Sequence, residues 1–448
     1  VKLTVPPLEI GEKEGFSEDK DIFKRKEFGE RLANLIENAG GELVMALDAP
    51  WGEGKSTFIK MWQGHLKNEY PKIKTIYFDA FENDHQSAPF LALAGEIYAL
   101  IDEQIEQPIF RHKAIAALKT TKRIGLRLGA RVLTAGLLDG TEFEGVGKKD
   151  ILDGAVDTID SYVENILKSA TKDKEVVAEF KKYLAALPEK LGGKSIVFII
   201  DELDRCKPPF ALEIVEVVKH LFTVPNIAFV LVLNRTQLEA SVIKEYGTDE
   251  ADASKYLQKF INLWISLPKN KESERCDAKT YLSDCIKRMG LESKDGKEEE
   301  WNKMMFERLV VHYNMPLREI ERSLTNFALI RGSFSGAPNY VYRWITAYVS
   351  IIKVRYPDEY NLLSKGKITY PALVDKTYLT ELKDNWMMPE EKAIESHPLK
   401  WLLRYYLAND TEKGKLRTPE NPFGAIELSA SGQVIENSCN WLDSFRKT

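Results

Sequence analysis

The chain has 448 residues, long enough to fold around at least one large core. Hydrophobic residues make up 44% and charged residues 29%, the balance of an ordinary globular protein rather than a disordered or membrane-embedded one. A formal net charge of −5 argues against a surface coated for nucleic acid, although local basic patches stay open. Cys206, Cys276, Cys285 and Cys439 have no metal-ligand spacing and form no CxxC pair, so free thiols in a reducing compartment are expected. Val1 to Lys20 is polar and acidic with prolines, unlike a secretory leader, and the absence of an initiating Met leaves the true start open.

Val1 to Asp19 reads as an extended arm containing Pro6-Pro7. From about Phe23 to Asn38, Phe28, Leu32, Leu35 and Ile36 fall on one side of a helix that Gly40-Gly41 would stop. Leu43 to Leu47 has the length and composition of a buried parallel strand. The turn Ala49-Pro50-Trp51-Gly52-Glu53-Gly54 follows, and Lys55-Ser56-Thr57 opens an amphipathic helix reaching about Asn68. Strand, Gly-rich turn and helix in that order make a phosphate-binding loop, Walker A, with Pro50 to Thr57 as the nucleotide-contacting set. Gly52 and Gly54 let backbone N–H groups approach phosphates, and the positive end of the helix faces them. Lys55 can reach the β- and γ-phosphates, and the Ser56 hydroxyl is placed to ligate Mg²⁺. Ala49 stands where the pattern has Gly, so the turn must manage there without a residue that takes positive φ freely.

Lys74 to Asp79 is the next strand, and Glu82 and Asn83 beyond it read as a polar strand–helix turn, or as groups facing a γ-phosphate if the family resemblance given below is followed. Pro89 to Ile105 reads as a strongly apolar helix. Between Arg111 and Arg131 there are seven Lys or Arg residues and no acid, with Lys119, Arg123, Arg127 and Arg131 forming one stripe if helical. An acidic helix, Ile151 to Lys168, and a separate one, Lys172 to Leu187, are expected next. Ser195 to Ile200 is a second buried strand ending in Asp201-Glu202-Leu203-Asp204-Arg205-Cys206. Asp201 has the position of a Walker B carboxylate that holds Mg²⁺ through water, and Glu202 that of the base polarising the attacking water. Phe210 to Phe222 is helical, Ile227 to Leu233 is a continuous apolar strand followed by Asn234-Arg235, and Ile261 to Leu267 ends the series. Five such runs separated by helices predict an α/β fold, a parallel sheet covered by helices on both faces, with ligands at its carboxyl edge. Beyond Ala278 no strand pattern persists: helices hold Cys285-Ile286, Trp301 to His312 and Pro316 to Phe327, and the end from Tyr340 is helical and aromatic, then richer in loops.

The Trp51-Gly52-Glu53-Gly54-Lys55-Ser56 loop and the Asp201-Glu202-Leu203-Asp204-Arg205-Cys206 signature resemble the KAP family of P-loop NTPases, in the STAND and AAA-like branch, over about Asp21 to Phe327. Ile22 to Glu27 is similar to the Gly-Arg-Glu-type element that starts STAND proteins, with Lys24 in place of Gly, and this implies a nucleotide contact for Arg25. Pro316 to Phe327 is similar to the family's Pro-Arg-x-Ile-Lys-Arg helix start, which puts Arg318 at the sensor-2-like position and Arg322 at the second arginine; Leu317 replaces the usual Pro. A solvated Arg/Glu helix face is the other reading of that segment. Asn234 takes the sensor 1 place, where family members often have Asp. These readings divide the chain into an arm (1–20), a KAP-type P-loop NTPase core (21–270) with a helical insert at about 110–170, a helical lid (271–350) and a helical C-terminal region (351–448).

The function so implied is an ATP-binding and hydrolysing switch using Mg²⁺, with Glu202, Lys55, Asn234 and Arg318 as catalytic residues. Its nucleotide state would control homo-oligomer assembly or a partner protein, and in a microbial host the resemblance allows a role in defence against phage or plasmids. GTP is disfavoured, since Leu267-Pro268-Lys269-Asn270 supplies no carboxylate to read guanine. The alternatives are a nucleotide-gated signalling scaffold with negligible turnover and a nucleic-acid-associated ATPase. Family members often carry transmembrane helices between the Walker strands, but no window here approaches the roughly eighteen apolar residues a spanning helix needs. A cytoplasmic protein is expected; the stripe of Lys119, Arg123, Arg127 and Arg131 is either solvated or a surface for an anionic membrane, nucleic acid or another chain.

Overall fold

The computed structural model describes residues 2–39, 41–86, 88–101, 106–123, 156–270, 276–291, 297–332, 340–382, 398–417 and 433–444, with backbone alone at 121–123, 156–171, 297–303 and 340–342. The chain divides into two compact units: Ile10–Pro50 with Lys55–Pro268, and Val1–Glu9 with Trp51–Gly54 and Lys269–Thr448.

The first unit is built on α1 (Lys26–Asn38), β1 (Leu43–Asp48), α2 (Lys55–Glu69), β2 (Ile73–Asp79), α3 (Pro89–Leu100), α4 (Glu106–Arg123), α5 (Val156–Lys190), β3 (Ser195–Asp201), α6 (Pro208–Val217), β4 (Ile227–Leu233), α7 (Arg235–Tyr246), α8 (Glu250–Gln258) and β5 (Leu263–Ser266). The strands form one parallel sheet in the order β2-β3-β4-β1-β5. Side chains alternate across it, so each apolar strand feeds two cores. Met45, Leu47, Val197, Ile199, Val230 and Val232 meet Leu32, Ala33 and Ile36 of α1 and Phe58, Ile59 and Trp62 of α2. Val44, Ala46, Phe198, Ile200, Phe229 and Leu231 face the opposite way, toward α3 to α8. The expected α/β sheet covered on both faces is what the chain forms.

Several element bounds differ from the sequence reading, each for a local reason. The first helix begins at Lys26 rather than Phe23, because Lys24 adopts φ +53° and interrupts the helical path. Asp21 caps the new start, accepting from the N–H groups of Arg25 and Lys26 at 2.8 and 2.9 Å. The apolar helix expected through Ile105 stops at Leu100, and α4 starts at Glu106. The two helices expected between 151 and 187 are one: α5 runs unbroken for 35 residues, since no Gly or Pro interrupts Lys168 to Lys172. After α6 the chain widens into a π-turn, Val218–Phe222, closed by the N–H and hydroxyl of Thr223 on the Val218 carbonyl at 2.9 and 2.8 Å.

The second unit is helical, with α9 (Asp277–Met289), α10 (Lys297–His312), α11 (Leu317–Gly332), α12 (Tyr340–Arg355), α13 (Pro357–Ser364), α14 (Tyr370–Lys376), α15 (Pro398–Leu407), α16 (Asp410–Leu416) and α17 (Val434–Ser444). The loop-rich end expected from sequence is thus a series of short helices among the described residues, three of which start on Pro357, Tyr370-Pro371 and Pro398. Trp344, Tyr348, Val349 and Ile352 of α12 are fully buried at its centre. Among the described residues no helix is long and apolar enough to cross a membrane.

Candidate functional site

Four strand ends deliver polar groups to the carboxyl edge of the sheet. β4 lies between β1 and β3, so the strand leading into the phosphate loop is separated from the Asp201 strand by the one that Asn234 follows. Asp201 is fully buried. Its Oδ1 accepts from the Glu202 N–H at 2.8 Å and its Oδ2 from the Tyr77 hydroxyl at 3.1 Å. Burial raises the Asp201 pKa, while the hydrogen bonds from Ser56, the Glu202 N–H and Tyr77 oppose that rise.

Glu202 sits in the left-handed region at φ +59°, ψ +26°, an uncommon place for a residue with a Cβ. Both its oxygens are engaged: the Ser56 hydroxyl donates to Oε1 at 3.3 Å, and Arg205 Nε pairs with Oε2 at 2.5 Å. Burial is the main cause of a raised Glu202 pKa, reinforced by Asp201 and opposed by Arg205. Lys55 opens α2 and turns back on its own loop, donating from Nζ to the carbonyls of Ala49 and Pro50 at 2.5 and 3.3 Å. Burial lowers its pKa, and Asp204, Glu202, Asp201 and Asp48 act in the opposite direction. Thr57 follows half-buried on α2.

Ala49 is buried and is absent from the positive-φ residues among those described, so the missing Gly costs the turn nothing there. Positive φ falls instead on Gly52 and Gly54, both at +81°. Asn234 is the N-cap of α7, its carbonyl accepting from Gln237 and Leu238. Arg235 beside it stacks over Trp264 at 4.7 Å and pairs with Glu239 at 2.8 Å. Arg25 is buried at the start of α1 with its guanidinium 4.5 Å from the centre of the Phe23 ring. Glu82 and Asn83 form a turn: the Glu82 N–H bonds Asp79 Oδ1 at 2.9 Å and the Asn83 amide bonds the Asp79 carbonyl at 2.8 Å.

In the second unit, Arg318 and Arg322 are exposed one turn apart on α11. Arg318 packs on Gly52: a Cβ at that glycine would lie 2.8 Å from the Arg318 Cβ. Glu53, also in this unit, is buried and pairs with Lys269 at 2.8 Å. Of the basic stripe, Lys119 is exposed on α4 and Arg123 ends that helix, while Arg127 and Arg131 lie outside the described residues.

Asp48, Tyr77, Asp204 and Arg235 carry the site's surroundings and were not singled out from sequence. Only Asp204 had a local signal, its place in the Asp-Glu-Leu-Asp run. The other three matter through partners on elements distant in sequence.

A model described as the KAP family P-loop domain matches residues 25–334. Two solved structures of the Aeropyrum pernix ORC2 protein are distantly similar. The ADP form is 12% identical, with 80% of this chain and 79% of that chain covered at a TM-score of 0.34. The ADPNP–ADP complexes are 13% identical, with 94% of each chain covered at a TM-score of 0.35. No curated protein matches the chain.

Proposed function

Because the chain belongs to the KAP family of P-loop domains, we propose that it is an ATP-binding and hydrolysing switch. The observation that carries this reading is the meeting of Ser56, Asp201 and Glu202 at the carboxyl edge, where the Ser56 hydroxyl donates to Glu202 Oε1 and the Glu202 N–H to Asp201 Oδ1. Among the described residues no cluster of three or more His, Cys, Asp or Glu could cage a metal. One carboxylate and one hydroxyl are instead the hard-oxygen set that suits Mg²⁺ held jointly with phosphates and water. Bound there, Mg²⁺ would neutralise charge developing on the transferred phosphoryl group.

The chain's own residues then divide the work. Backbone N–H groups of Pro50 to Thr57, excepting Pro50 itself, cradle the phosphates, and Lys55 exchanges its two carbonyl partners for phosphate oxygens. Ser56 has a single proton to donate. A cation would take an Oγ lone pair and leave that proton in place, so Ser56 would hold Mg²⁺ while still donating to Glu202 Oε1, with Arg205 on Oε2. Glu202 keeps lone pairs beyond these two contacts with which to take a proton from the attacking water. In this reading Asn234 and Arg318 act as γ-phosphate sensors, and Arg25 as a nucleotide contact. The nucleotide state in turn controls assembly or a partner, and defence against phage or plasmids is the role the family resemblance suggests.

The scaffold alternative draws on one feature: both oxygens of Glu202 are engaged, which favours slow turnover. Nucleotide binding and single-turnover hydrolysis separate the readings. Lys55→Ala should abolish tight ATP binding, and Glu202→Gln should keep binding while stopping hydrolysis. Wild-type turnover in Glu202→Gln would remove Glu202 as the base, and absence of turnover in the wild type would favour the scaffold.

A further inference from the structure

We propose that Tyr77 is a positioning residue that sets the orientation of the Asp201 carboxylate. The proposal rests on Asp201 holding the divalent cation of the reading above. Register explains why a tyrosine two residues short of the strand end reaches it. β2 pairs with β3 so that Tyr77 lies opposite Ile199 and Asp79 opposite Asp201. All four share one face of the sheet, and Asp201 is the diagonal neighbour of Tyr77, within reach of a long aromatic side chain. The Tyr77 hydroxyl therefore meets Oδ2 at 3.1 Å while the Glu202 N–H holds Oδ1 at 2.8 Å.

The Ser56 hydroxyl beside these two donors is differently engaged, its proton going to Glu202 Oε1 at 3.3 Å. Tyr77 and the Glu202 N–H have no second partner among the described residues that would compete for their protons. A carboxylate held on both oxygens keeps its remaining lone pairs aimed in one direction; held on one, it can rotate. The ring packs against the core that α1 and α2 cover and lines a cavity of about 370 Å³ with Lys60, Gln63, Lys67 and Thr75. Removing the hydroxyl alone leaves that packing in place.

The test uses the full chain with Mn²⁺ as the probe, titrated by electron paramagnetic resonance in the presence of a non-hydrolysable ATP analogue. Affinity for the analogue without metal is measured in parallel. Tyr77→Phe should weaken Mn²⁺ about tenfold, the scale of one hydrogen bond to a charged group, and leave metal-free affinity within about twofold. Asp201→Asn should weaken Mn²⁺ at least as much, and the double variant should match Asp201→Asn, since Tyr77 acts only through Asp201. Wild-type Mn²⁺ affinity in Tyr77→Phe, with Asp201→Asn impaired, overturns the role of Tyr77 and leaves that of Asp201 standing. Unchanged Mn²⁺ affinity in Asp201→Asn overturns both. Equal losses with and without metal in Tyr77→Phe would reduce Tyr77 to a packing residue.

Discussion

Asp48 Oδ1 accepts a hydrogen bond from the Arg235 N–H at 2.8 Å, so the strand that leads into the phosphate loop caps the helix after its neighbour strand. The Asn234 side chain provides no cap of its own. One carboxylate thus ties the segment carrying Asn234 to the residue before Ala49. Asp48→Ala should cost about 1 kcal/mol of stability, the usual effect of deleting a cap, whereas Asp48→Asn keeps an acceptor and should cost less. Denaturant unfolding of both variants checks this. Equal losses would assign the effect to charge rather than to the hydrogen bond.

Gly52 combines φ +81° with the Arg318 Cβ placed 2.8 Å from where its own Cβ would be. Gly52→Ala therefore meets left-handed strain of about 1–2 kcal/mol and a clash with a helix-borne atom. At least a tenfold loss of ATP affinity is expected in a fluorescent-nucleotide titration. Arg318→Ala retains the Cβ, so adding it should not restore affinity. By itself it should weaken ATP more than ADP; equal effects would leave Arg318 as a solvated helix residue.

Lys24 holds a left-handed backbone, φ +53°, a conformation that favours glycine. Ordinarily Gly is less stable than Ala within a structured segment; here the order should reverse, with Lys24→Gly about 1 kcal/mol more stable than Lys24→Ala. Thermal melts of the two variants decide it. Ala equal to or above Gly would show that the turn relaxes to negative φ at no cost.

His65 is buried on α2 between the rings of Phe16 and Tyr70, 5.5 and 5.9 Å away. Burial lowers its pKa first; Glu30 and Glu69 oppose the shift, and Lys26 adds to it. The folded state then binds the proton less readily than the unfolded state. The stability it contributes is complete above the unfolded value of about 6.5 and is lost as pH falls below it toward the depressed folded value. Urea midpoints measured between about pH 7.5 and 5.5 should fall, and His65→Gln should flatten that slope. Parallel slopes would place the titrating group elsewhere.

The phosphate loop was legible because everything it needs is consecutive: apolar Leu43 to Leu47, then Gly52, Gly54, Lys55 and Ser56 at fixed spacing. Asp201 and Glu202 stood out for the same reason, as adjacent carboxylates at the end of an apolar run. Helix bounds were read less well. Lys24 and Asp21 set the start of α1 through backbone strain and a side-chain cap, neither of which leaves a periodic trace. The unbroken α5 carries no punctuation at Lys168 to Lys172, so hydrophobic spacing alone suggested a division that the backbone does not make.

Five apolar runs separated by helices determined, without any structure, that this chain builds a covered parallel sheet around a phosphate loop, because dihedral preference and side-chain period are properties of neighbours in sequence. Strand order and register were decided only in three dimensions. They place Tyr77 diagonally from Asp201 across 124 residues of chain, and Asp48 under Arg235 across 187. Those contacts depend on which strand lies beside which, with β4 inserted between β1 and β3. No local pattern encodes that choice, since it is settled by how the two apolar faces of the sheet pack against their helices.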